Sequence, residues 1–443
     1  MPNREASHTG LAAMQWLFFM FTNTLVIPLS IGQAFQLSPV EVAHMMQRAF
    51  VLTGAACLLQ GWLGHRLAIM EGQAGLWWGV IISLCASAPS MGMTLPELGA
   101  SLAVGITLSG ITVIVLGILG YGYVLQRLFN PYVMFVVTTL LGAQLVFIFA
   151  KGMLGLTTSE VIDPALASLS LVIVALTMWL NIRGRGFFRN FSILIGIAVG
   201  WLIYACLFPA QPPVQTASSF AWNLLVWGNP TVENLQAGII VMTYITGLIC
   251  MSNTIVTLKA VAVIYEKEST TRQYNSSFIV TGVMYIVSAL FSLVPYATYS
   301  STIGFLQSTR IIARRPFMWG AGALMLLGLF PQAAQWFSTM PLTIGNAVLF
   351  VAYLSMFGSA LRNIEGITFN SRSIYRIALP MFVGLAWMTL PNEVWGQFPA
   401  LVRPLLSNGL LMGIMLTLIL EQVVNWDRIE SLDRAAGSNM PNK

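Results

Sequence analysis

Long apolar runs are the dominant pattern of this chain. They recur from end to end, each about 20 residues long, with charged residues mostly confined to the short stretches between them. A helix needs roughly 20 apolar residues to cross about 30 Å of hydrocarbon, so each run predicts a transmembrane helix. The pattern gives fourteen segments, numbered in chain order, of which segments 3 and 10 are interrupted: 11–32, 46–63, 67–90, 97–122, 131–150, 163–182, 190–209, 235–258, 276–294, 295–312, 317–337, 341–360, 375–391 and 404–424.

Composition and charge support this interpretation. Hydrophobic residues make up 57% of the 443 residues and charged residues only 8%, against about 25% charged in globular proteins. Lipid is therefore the expected solvent, and no polar stretch is long enough for a separate soluble domain. With the N-terminus inside, 18 of the 21 Lys and Arg fall on the cytoplasmic side, leaving Arg48, Lys151 and Arg403 outside. This asymmetry predicts a multi-pass protein of the cytoplasmic (inner) membrane with both termini cytoplasmic, and the basic charge does not call for nucleic acid as a partner.

Candidate ligands for metals and disulfides are sparse. The four cysteines lie inside apolar segments without CxxC spacing, and the three histidines lie in the N-terminal tail or near helix ends. We therefore expect no disulfide, no metal ion and no cofactor. The first segment follows a short tail with Arg4 as its only base and lacks a small-residue cleavage site, so we expect a retained helix and not a signal peptide.

A short internal match suggests two repeats. Met20–Val26 reads MFTNTLV and Cys250–Val256 reads CMSNTIV, 230 residues later. The match falls in segments 1 and 8, which an inverted repeat of seven plus seven helices would pair. The same pairing joins segments 3 and 10, the two interrupted ones. Transporters with inverted repeats bind substrate where such helices are broken.

The two interruptions have different chemistry. Segment 3 contains an acid and three glycines in the stretch 71–79, and glycine weakens a helix by about 1 kcal/mol relative to alanine. Segment 10 contains the polar, β-prone stretch 295–304. Irregular backbone at membrane depth is tolerated only when buried in protein or lining a cavity. The glycines could instead serve helix packing, and the Ser and Thr could bond their own backbone, but their paired positions favour a binding site with a short strand in each segment.

These motifs resemble the nucleobase/ascorbate transporter family, the second nucleobase:cation symporter family, over Gln15 to about Val424. The similarity is closest to a bacterial branch of purine permeases without characterised members. The family's first helix opens with Gln-His, here Gln15-Trp16, and its third has a Gly-x-Ser-Phe-Ala-Phe type strand, here the stretch 72–77. Its helix 10 signature becomes Ser301-Thr302-Ile303-Gly304 followed by Thr309-Arg310, in which Gly, Thr and Arg match and the first two positions do not.

The resemblance implies an all-α polytopic membrane protein of fourteen helices in seven-plus-seven inverted repeats, with short strands in helices 3 and 10. It also implies a core domain of helices 1–4 and 8–11 and a gate domain of helices 5–7 and 12–14. The corresponding ranges are 1–125 and 230–338 for the core, 126–215 and 339–426 for the gate, and 427–443 for a cytoplasmic tail. Characterised members hold the base with an acid in helix 8 and an acid or Gln at the helix 10 signature. Ser252 and Ser301 occupy these two positions here.

A neutral nucleobase needs matched donors and acceptors in a dry pocket, because an unpaired buried polar group costs about 1 to 3 kcal/mol. Side chains that offer both, and backbone groups or rings that could serve a base, form the predicted binding set: Asn23, Thr24, Gly75 and Leu76 (backbone), Trp77 and Tyr299 (stacking), Ser252, Asn253, Ser301 and Thr302. Asn253 is the principal candidate, since an amide reads a base edge with a donor and an acceptor. Its alternative role is a packing hydrogen bond with Asn23.

Glu71 is the only acid placed well inside a predicted span, and such an acid is a functional candidate by default. Lys259 lies about 10.5 Å beyond Ser252 along its helix, at a depth similar to that of Glu71. Two alternatives follow. The pair is either a structural ion pair between helices 3 and 8, or a coupling pair in which Glu71 accepts a proton.

The predicted function is import of a nucleobase, with a purine preferred, by a proton-coupled secondary transporter using alternating access. The expected partners are the base, the proton and the lipid bilayer, with a homodimer through the gate domains as an option. No zincin helix, nucleophile elbow or Walker loop occurs, so we expect no enzyme. The alternative is an anion transporter or channel on the same fold. It requires a cation at the site, for which Arg310 is the nearest candidate.

Overall fold

The computed structural model describes residues 2–121, 128–156, 161–208, 221–424 and 426. The described chain is mostly helical, as predicted, and its two strands are Glu71–Gln73 (β1) and Tyr296–Thr298 (β2). Short 3-10 turns occur at Pro89–Met91, Val232–Asn234 and Asn392–Trp395. The helices are α1 Pro2–Ala34, α2 Pro39–Trp62, α3 Gly75–Ser87, α4 Leu95–Ile118, α5 Pro131–Met153, α6 Pro164–Arg183, α7 Phe187–Asn190, α8 Ser192–Leu207, α9 Ala237–Ile264, α10 Thr271–Leu290, α11 Ser301–Thr309, α12 Arg314–Gly328, α13 Pro331–Ser338, α14 Leu342–Asn363, α15 Ser371–Thr389, α16 Arg403–Leu406 and α17 Gly409–Val423.

Polar residues followed by proline start several helices. Ser38, Asn130 and Asp163 each cap the helix that begins at the next residue, a proline, and accept hydrogen bonds from its first-turn N–H groups. Proline suits this position because its missing N–H would have no helical partner there. The connections are therefore encoded locally, and most helix starts lie within a few residues of the predicted segments.

Within the described ranges, seven helices are long and apolar enough to cross a membrane: α1 from Thr9, α2, α4, α5, α6, α9 and α14. An eighth span results if α12 and α13, bent by 84°, count as one. The apolar helices α3, α8 and α17 are shorter. The protein is thus a multi-pass membrane protein, whereas the total of fourteen spans stays a prediction.

The helices pack in two groups. One contains α1–α4 and α9–α13, and we call it the core bundle. The other contains α5, α6, α8, α14, α15 and α17, and we call it the gate bundle. The exact domain boundaries stay predictions, and the predicted tail 427–443 lies outside the described residues.

Candidate functional site

The two strands form an antiparallel pair that joins the two halves of the chain. Gly72 lies opposite Ala297, with Glu71 opposite Thr298 and Gln73 opposite Tyr296. Two further hydrogen bonds extend the pair, from Ala74 N–H to the Pro295 carbonyl (2.8 Å) and from Tyr299 N–H to the Met70 carbonyl (2.9 Å). The strand residues are buried. Each strand leads into a short helix, α3 or α11, whose first turn faces the strand pair.

The strand in segment 3 is shorter than predicted, and this corrects the roles of Gly75, Leu76 and Trp77. These three residues form the first turn of α3 and not a strand. Their backbone N–H groups precede the first helical hydrogen bond, which runs from Trp78 N–H to the Ala74 carbonyl. Such groups are free donors at the positive end of a helix dipole. The free backbone N–H groups that were predicted for a strand therefore belong to the first turn of a helix.

Gly75 lies at the boundary between the bundles. A Cβ atom there would be 3.1 Å from Leu145 Cδ1 of α5 and 3.5 Å from the Tyr353 hydroxyl of α14. Both neighbours belong to the gate bundle. Gly75 is half-buried, whereas Leu76 is fully buried. Of the first-turn residues, Gly75 is the one whose backbone a substrate between the bundles could reach.

Trp77 faces the interior of the core bundle. It is fully buried and meets Tyr285 of α10 edge to face, with ring centroids 5.9 Å apart. Residues two apart on a helix differ by about 200° in direction, so Trp77 points away from Gly75. The predicted stacking role of Trp77 is therefore wrong in geometry. Trp78 instead approaches the gate bundle, where its ring lies 5.1 Å from that of Phe149.

Tyr299 holds the end of β2 against β1. Its hydroxyl donates to the Gln73 carbonyl at 2.6 Å, and its ring lies against Gly72, where a Cβ would be only 2.8 Å away. Its hydroxyl group also interacts with that of Tyr353. Tyr299 is 8% exposed. It lies close enough to the bundle boundary to contact a substrate there.

The two asparagines of the repeat each bond their own helix. Asn23 Nδ2 donates to the Phe19 carbonyl at 2.8 Å, and Asn253 Nδ2 lies 3.7 Å from Cys250 Sγ. In the described residues neither amide bonds the other, so the alternative of a direct Asn23–Asn253 packing bond is wrong. Both residues are half-buried, and their amide oxygens are available for another donor.

The remaining predicted hydroxyl residues differ in accessibility. Thr24 is buried and donates to the Met20 carbonyl, and Thr302 is buried and accepts from the Met70 N–H. Both therefore have structural bonds. Ser252 is also buried, but its hydroxyl has no partner in the described part of the chain. Ser301, the first residue of α11, is exposed.

Glu71 is fully buried and bonds a residue that the sequence did not single out. Its Oε1 accepts the Thr281 hydroxyl of α10 at 2.7 Å, and the Gln60 amide of α2 also interacts with the carboxyl group. Lys259 is exposed on α9, and among the described residues it forms no ion pair. The predicted ion pair of Glu71 with Lys259 is therefore wrong. A similar depth in the membrane did not bring Glu71 and Lys259 together, because β1 directs the Glu71 side chain between α2 and α10.

Sequence reasoning missed three contributors: Tyr353 of α14, Gln144 of α5 and Thr281 of α10. Gln144 Nε2 donates to the Gly79 carbonyl of α3 at 3.0 Å, which links the two bundles. A single Tyr or Gln inside an apolar span could have identified Tyr353 and Gln144 from the sequence, because a buried polar group needs a hydrogen-bond partner.

Hydrogen-bonding groups lie at the boundary between the two bundles. They are the backbone N–H groups at the start of α3 and the hydroxyls of Tyr299 and Tyr353. In the described part of the chain these groups are hydrogen-bond donors and acceptors, the kind of polar group that fixes the orientation of a ligand in a binding site.

Comparisons with known proteins identify the family of this chain. A family model described as the Permease family, Xan_ur_permease, matches residues 7–393. The chain belongs to this family, the nucleobase/ascorbate transporters. It is therefore a transporter and not an enzyme, as predicted.

Relatives match over nearly the whole chain. "Putative purine permease YwdJ" of Bacillus subtilis is 26% identical over 430 residues, covering 95% of this chain and 97% of that protein. The uric acid permease PucJ of the same organism is 25% identical over 424 residues, covering 92% of this chain and 90% of that protein.

Solved structures show the same fold. The transmembrane domain of the cyanobacterial bicarbonate transporter BicA matches with a TM-score of 0.62 at 15% identity, covering 93% of this chain and 96% of that one. SLC26A9 matches with a TM-score of 0.60 at 12% identity, covering 93% of this chain and 65% of that one.

Proposed function

We propose that this protein is a secondary active transporter that imports a purine nucleobase by alternating access, with a proton as the coupling ion. The observation that carries the proposal is the pair of broken helices. Their strands pair at the core of one bundle, and the first turn of α3 opens at Gly75 onto the other bundle. A site between two bundles can face either side of the membrane when the bundles move relative to each other.

Relatives support the substrate class. Proteins at about 25% identity over almost full length are named as purine, uric acid and xanthine permeases. A purine presents ring nitrogens and carbonyl oxygens along its edges and two flat faces. In our proposal Asn253, Asn23 and Ser301 bond its edges, the Gly75 N–H bonds a carbonyl, and the Tyr299 ring contacts its face. Ser252, Thr24 and Thr302 lie behind them as support.

Glu71 is the proposed coupling residue. A buried carboxylate without a cation is costly; its hydrogen-bond partner is the neutral Thr281 hydroxyl, with the neutral Gln60 amide beside it. Protonation removes that charge, so the neutral form suits the arrangement described here. The charged form would require a rearrangement of the surrounding core, which is the link that coupling needs.

An anion transporter remains the competing function. The solved structures that share the fold are described as bicarbonate and anion transporters. At such low sequence identity, the similarity supports a common fold and says nothing about the substrate. Arg310, the cation required for this alternative, is exposed at the C-terminal end of α11. The relatives named for purines therefore favour the nucleobase.

The testing experiment is uptake into proteoliposomes. Xanthine, uric acid and hypoxanthine are presented alone and then in competition with sulfate and bicarbonate. We expect competition among the bases and none from the anions. Asn253→Ala should abolish uptake while leaving the amount of folded protein unchanged, and Asn275→Ala on α10 is the matched control. Wild-type KM and rate in Asn253→Ala would show that this amide packs and does not bind.

The membrane and the orientation of the chain in it are part of the same proposal. We place the protein in the cytoplasmic membrane with both termini in the cytoplasm, on the basis of the Lys and Arg asymmetry. Assembly as a homodimer through the gate bundle stays a prediction, to be tested by mass measurement in detergent.

A further inference from the structure

A row of buried polar side chains leads along α10 to Glu71. Gln273, Ser277 and Thr281 are spaced by four residues, so they lie on one face of the helix. They span about 12 Å along its axis. Gln273 is half-buried in the first turn, next to the exposed Arg272, and Ser277 and Thr281 are fully buried. The row therefore runs from the surface end of α10 into the core bundle.

Gln60 of α2 connects the inner members of this row. Its Nε2 donates to the Ser277 carbonyl at 3.2 Å and to Thr281 Oγ1 at 3.0 Å. Because Thr281 Oγ1 accepts from this amide, its own hydrogen is directed to Glu71 Oε1, 2.7 Å away. At the outer end Gln273 Nε2 donates to the His65 carbonyl at 2.8 Å. The inner bonds form an oriented chain that ends on the carboxyl group, and in the described residues no direct hydrogen bond joins Gln273 to Ser277.

Several atoms along this chain have unused bonding capacity. Ser277 Oγ, Gln60 Oε1 and Glu71 Oε2 are buried without a hydrogen-bond partner in the described residues. Buried polar atoms in native proteins are usually paired, and water commonly supplies the missing partner. Water molecules in a line along this face of α10 would bind to these three oxygens.

The remaining titratable groups near Glu71 are uncharged side chains. They are Cys57 of α2, Cys250 of α9, Tyr285 of α10 and Tyr296 of β2, all fully buried. Tyr296 is engaged with Thr53. His65, also fully buried, lies at the outer end of the row, where its carbonyl accepts from Gln273. Of the polar groups around Glu71 in the described residues, those of α10 continue to a half-buried side chain at the end of a helix.

We propose that this row conducts the coupling proton between Glu71 and the cytoplasmic surface, where import releases it, inside the core bundle and separate from the substrate path. The proposal rests on the coupling role assigned to Glu71 under the proposed function. A hydronium ion beside Ser277 gives a proton to Thr281 Oγ1 while Thr281 passes its hydroxyl hydrogen to Glu71 Oε1, so that water and a carboxylic acid result and Thr281 is unchanged. The reverse sequence turns the carboxylic acid back into a carboxylate and releases one proton along the row to the cytoplasm, the direction that import requires.

Strand geometry keeps the two paths apart. Neighbouring residues of a strand point to opposite faces. Gly72 meets the Tyr299 ring on the side of the substrate site, whereas Glu71 points to Thr281. Substrate and proton therefore act on the two faces of β1, and the strand itself transmits the coupling.

The test compares Thr281→Val with Thr281→Ser in proteoliposomes. Valine matches threonine in shape but has no hydroxyl, and serine restores it. Three rates are measured: purine exchange without a pH gradient, purine accumulation driven by an imposed pH gradient, and substrate-linked acidification of the lumen reported by pyranine. Ser288→Ala, a buried hydroxyl on α10 that bonds the Tyr285 carbonyl, is the matched control.

We expect Thr281→Val to keep exchange and to slow proton entry and accumulation at least about tenfold. Thr281→Ser and Ser288→Ala should behave as wild type. Normal proton entry in Thr281→Val overturns the path, and so does equal impairment of exchange and proton entry in Thr281→Val and Thr281→Ser, because that pattern indicates packing.

Glu71→Gln separates this proposal from the one on which it rests. This variant should keep exchange and lose pH-driven accumulation. If it still accumulates purine, the coupling role of Glu71 fails, and the path fails with it. If it is uncoupled while Thr281→Val conducts normally, only the path is overturned.

Discussion

Some helices inside each bundle approach one another through their backbones, whereas at Gly75 and Gly79 the two bundles meet through the ends of side chains. In the core bundle, a Cβ on Gly110 of α4 would lie 2.8 Å from the Gly282 carbonyl of α10, and a Cβ on Gly282 would lie 2.7 Å from the Gly110 carbonyl. In the gate bundle, a Cβ on Gly384 would lie 3.0 Å from the Gly409 carbonyl. Backbone contacts of this kind cannot adjust without moving a whole helix.

The boundary between the bundles is different. There the neighbours of Gly75 and Gly79 are Leu145, Tyr353 and Gln144, all through side-chain atoms. Side chains can change rotamer while a backbone carbonyl cannot. In the proposed alternating-access transport, the bundles would move as two bodies and this boundary would be the surface between them.

The largest effect is expected inside the core bundle. Gly110→Val places branched carbons against the Gly282 carbonyl, and overpacking of this kind costs about 3 kcal/mol or more when backbone must move. Thermal unfolding in detergent should show a large loss of stability or no folded protein. Gly322→Val of α12 is the control, since a Cβ there meets nothing within 4 Å. Equal stability of the two variants would contradict the idea of a rigid core.

A smaller effect on stability is expected at the boundary. In Gly75→Val the nearest neighbour is the mobile end of Leu145, so the folded protein should lose less than about 1 kcal/mol. Purine uptake should nevertheless fall at least about tenfold, because a branched side chain covers the N–H groups of the α3 first turn. Thermal unfolding and uptake are measured on the same preparation. Normal uptake would place the substrate elsewhere.

The smallest effect is expected from the hydrogen bond that crosses the boundary. Gln144→Leu removes the bond to the Gly79 carbonyl, about 1 kcal/mol, or roughly a fivefold change in the balance between closed and open arrangements. Hydrogen–deuterium exchange of residues 75–79 should rise by about that factor, whereas Thr139→Val on the same helix should leave it unchanged. Unchanged exchange in Gln144→Leu would show that this bond does not hold the bundles together.

The sequence predicted that segments 3 and 10 are interrupted, but not where the strand in segment 3 ends. Glycines and an acid at 71–79, and a polar run at 295–304, indicated irregular backbone at paired positions. The strand ends at Gln73, before the end of the predicted stretch 72–77, because its length is set by pairing with residues more than 200 positions away. Local preference cannot encode that limit.

Orientation was harder to predict than position. Lys259 and Glu71 were placed at similar depth, but rotation about the chain axis decides which side chains meet, and Thr281 is the residue that meets the acid. Tyr353 escaped notice because its helix is uninterrupted. Trp77 was expected to face a substrate because the stretch 72–77 was taken as a strand, and in a helix the same residue turns inward.

The pairing of β1 with β2 also constrains the order of events during synthesis. Gln73 leaves the ribosome some 220 residues before its partner Tyr296, a delay of about 10 to 45 s at ordinary elongation rates of 5 to 20 residues per second. During that interval the backbone groups of β1 and the Glu71 carboxyl have no final partners, and lipid offers none. The first half of the chain must therefore wait, sheltered by the insertion machinery or by transient contacts among its own helices, until the second half is made.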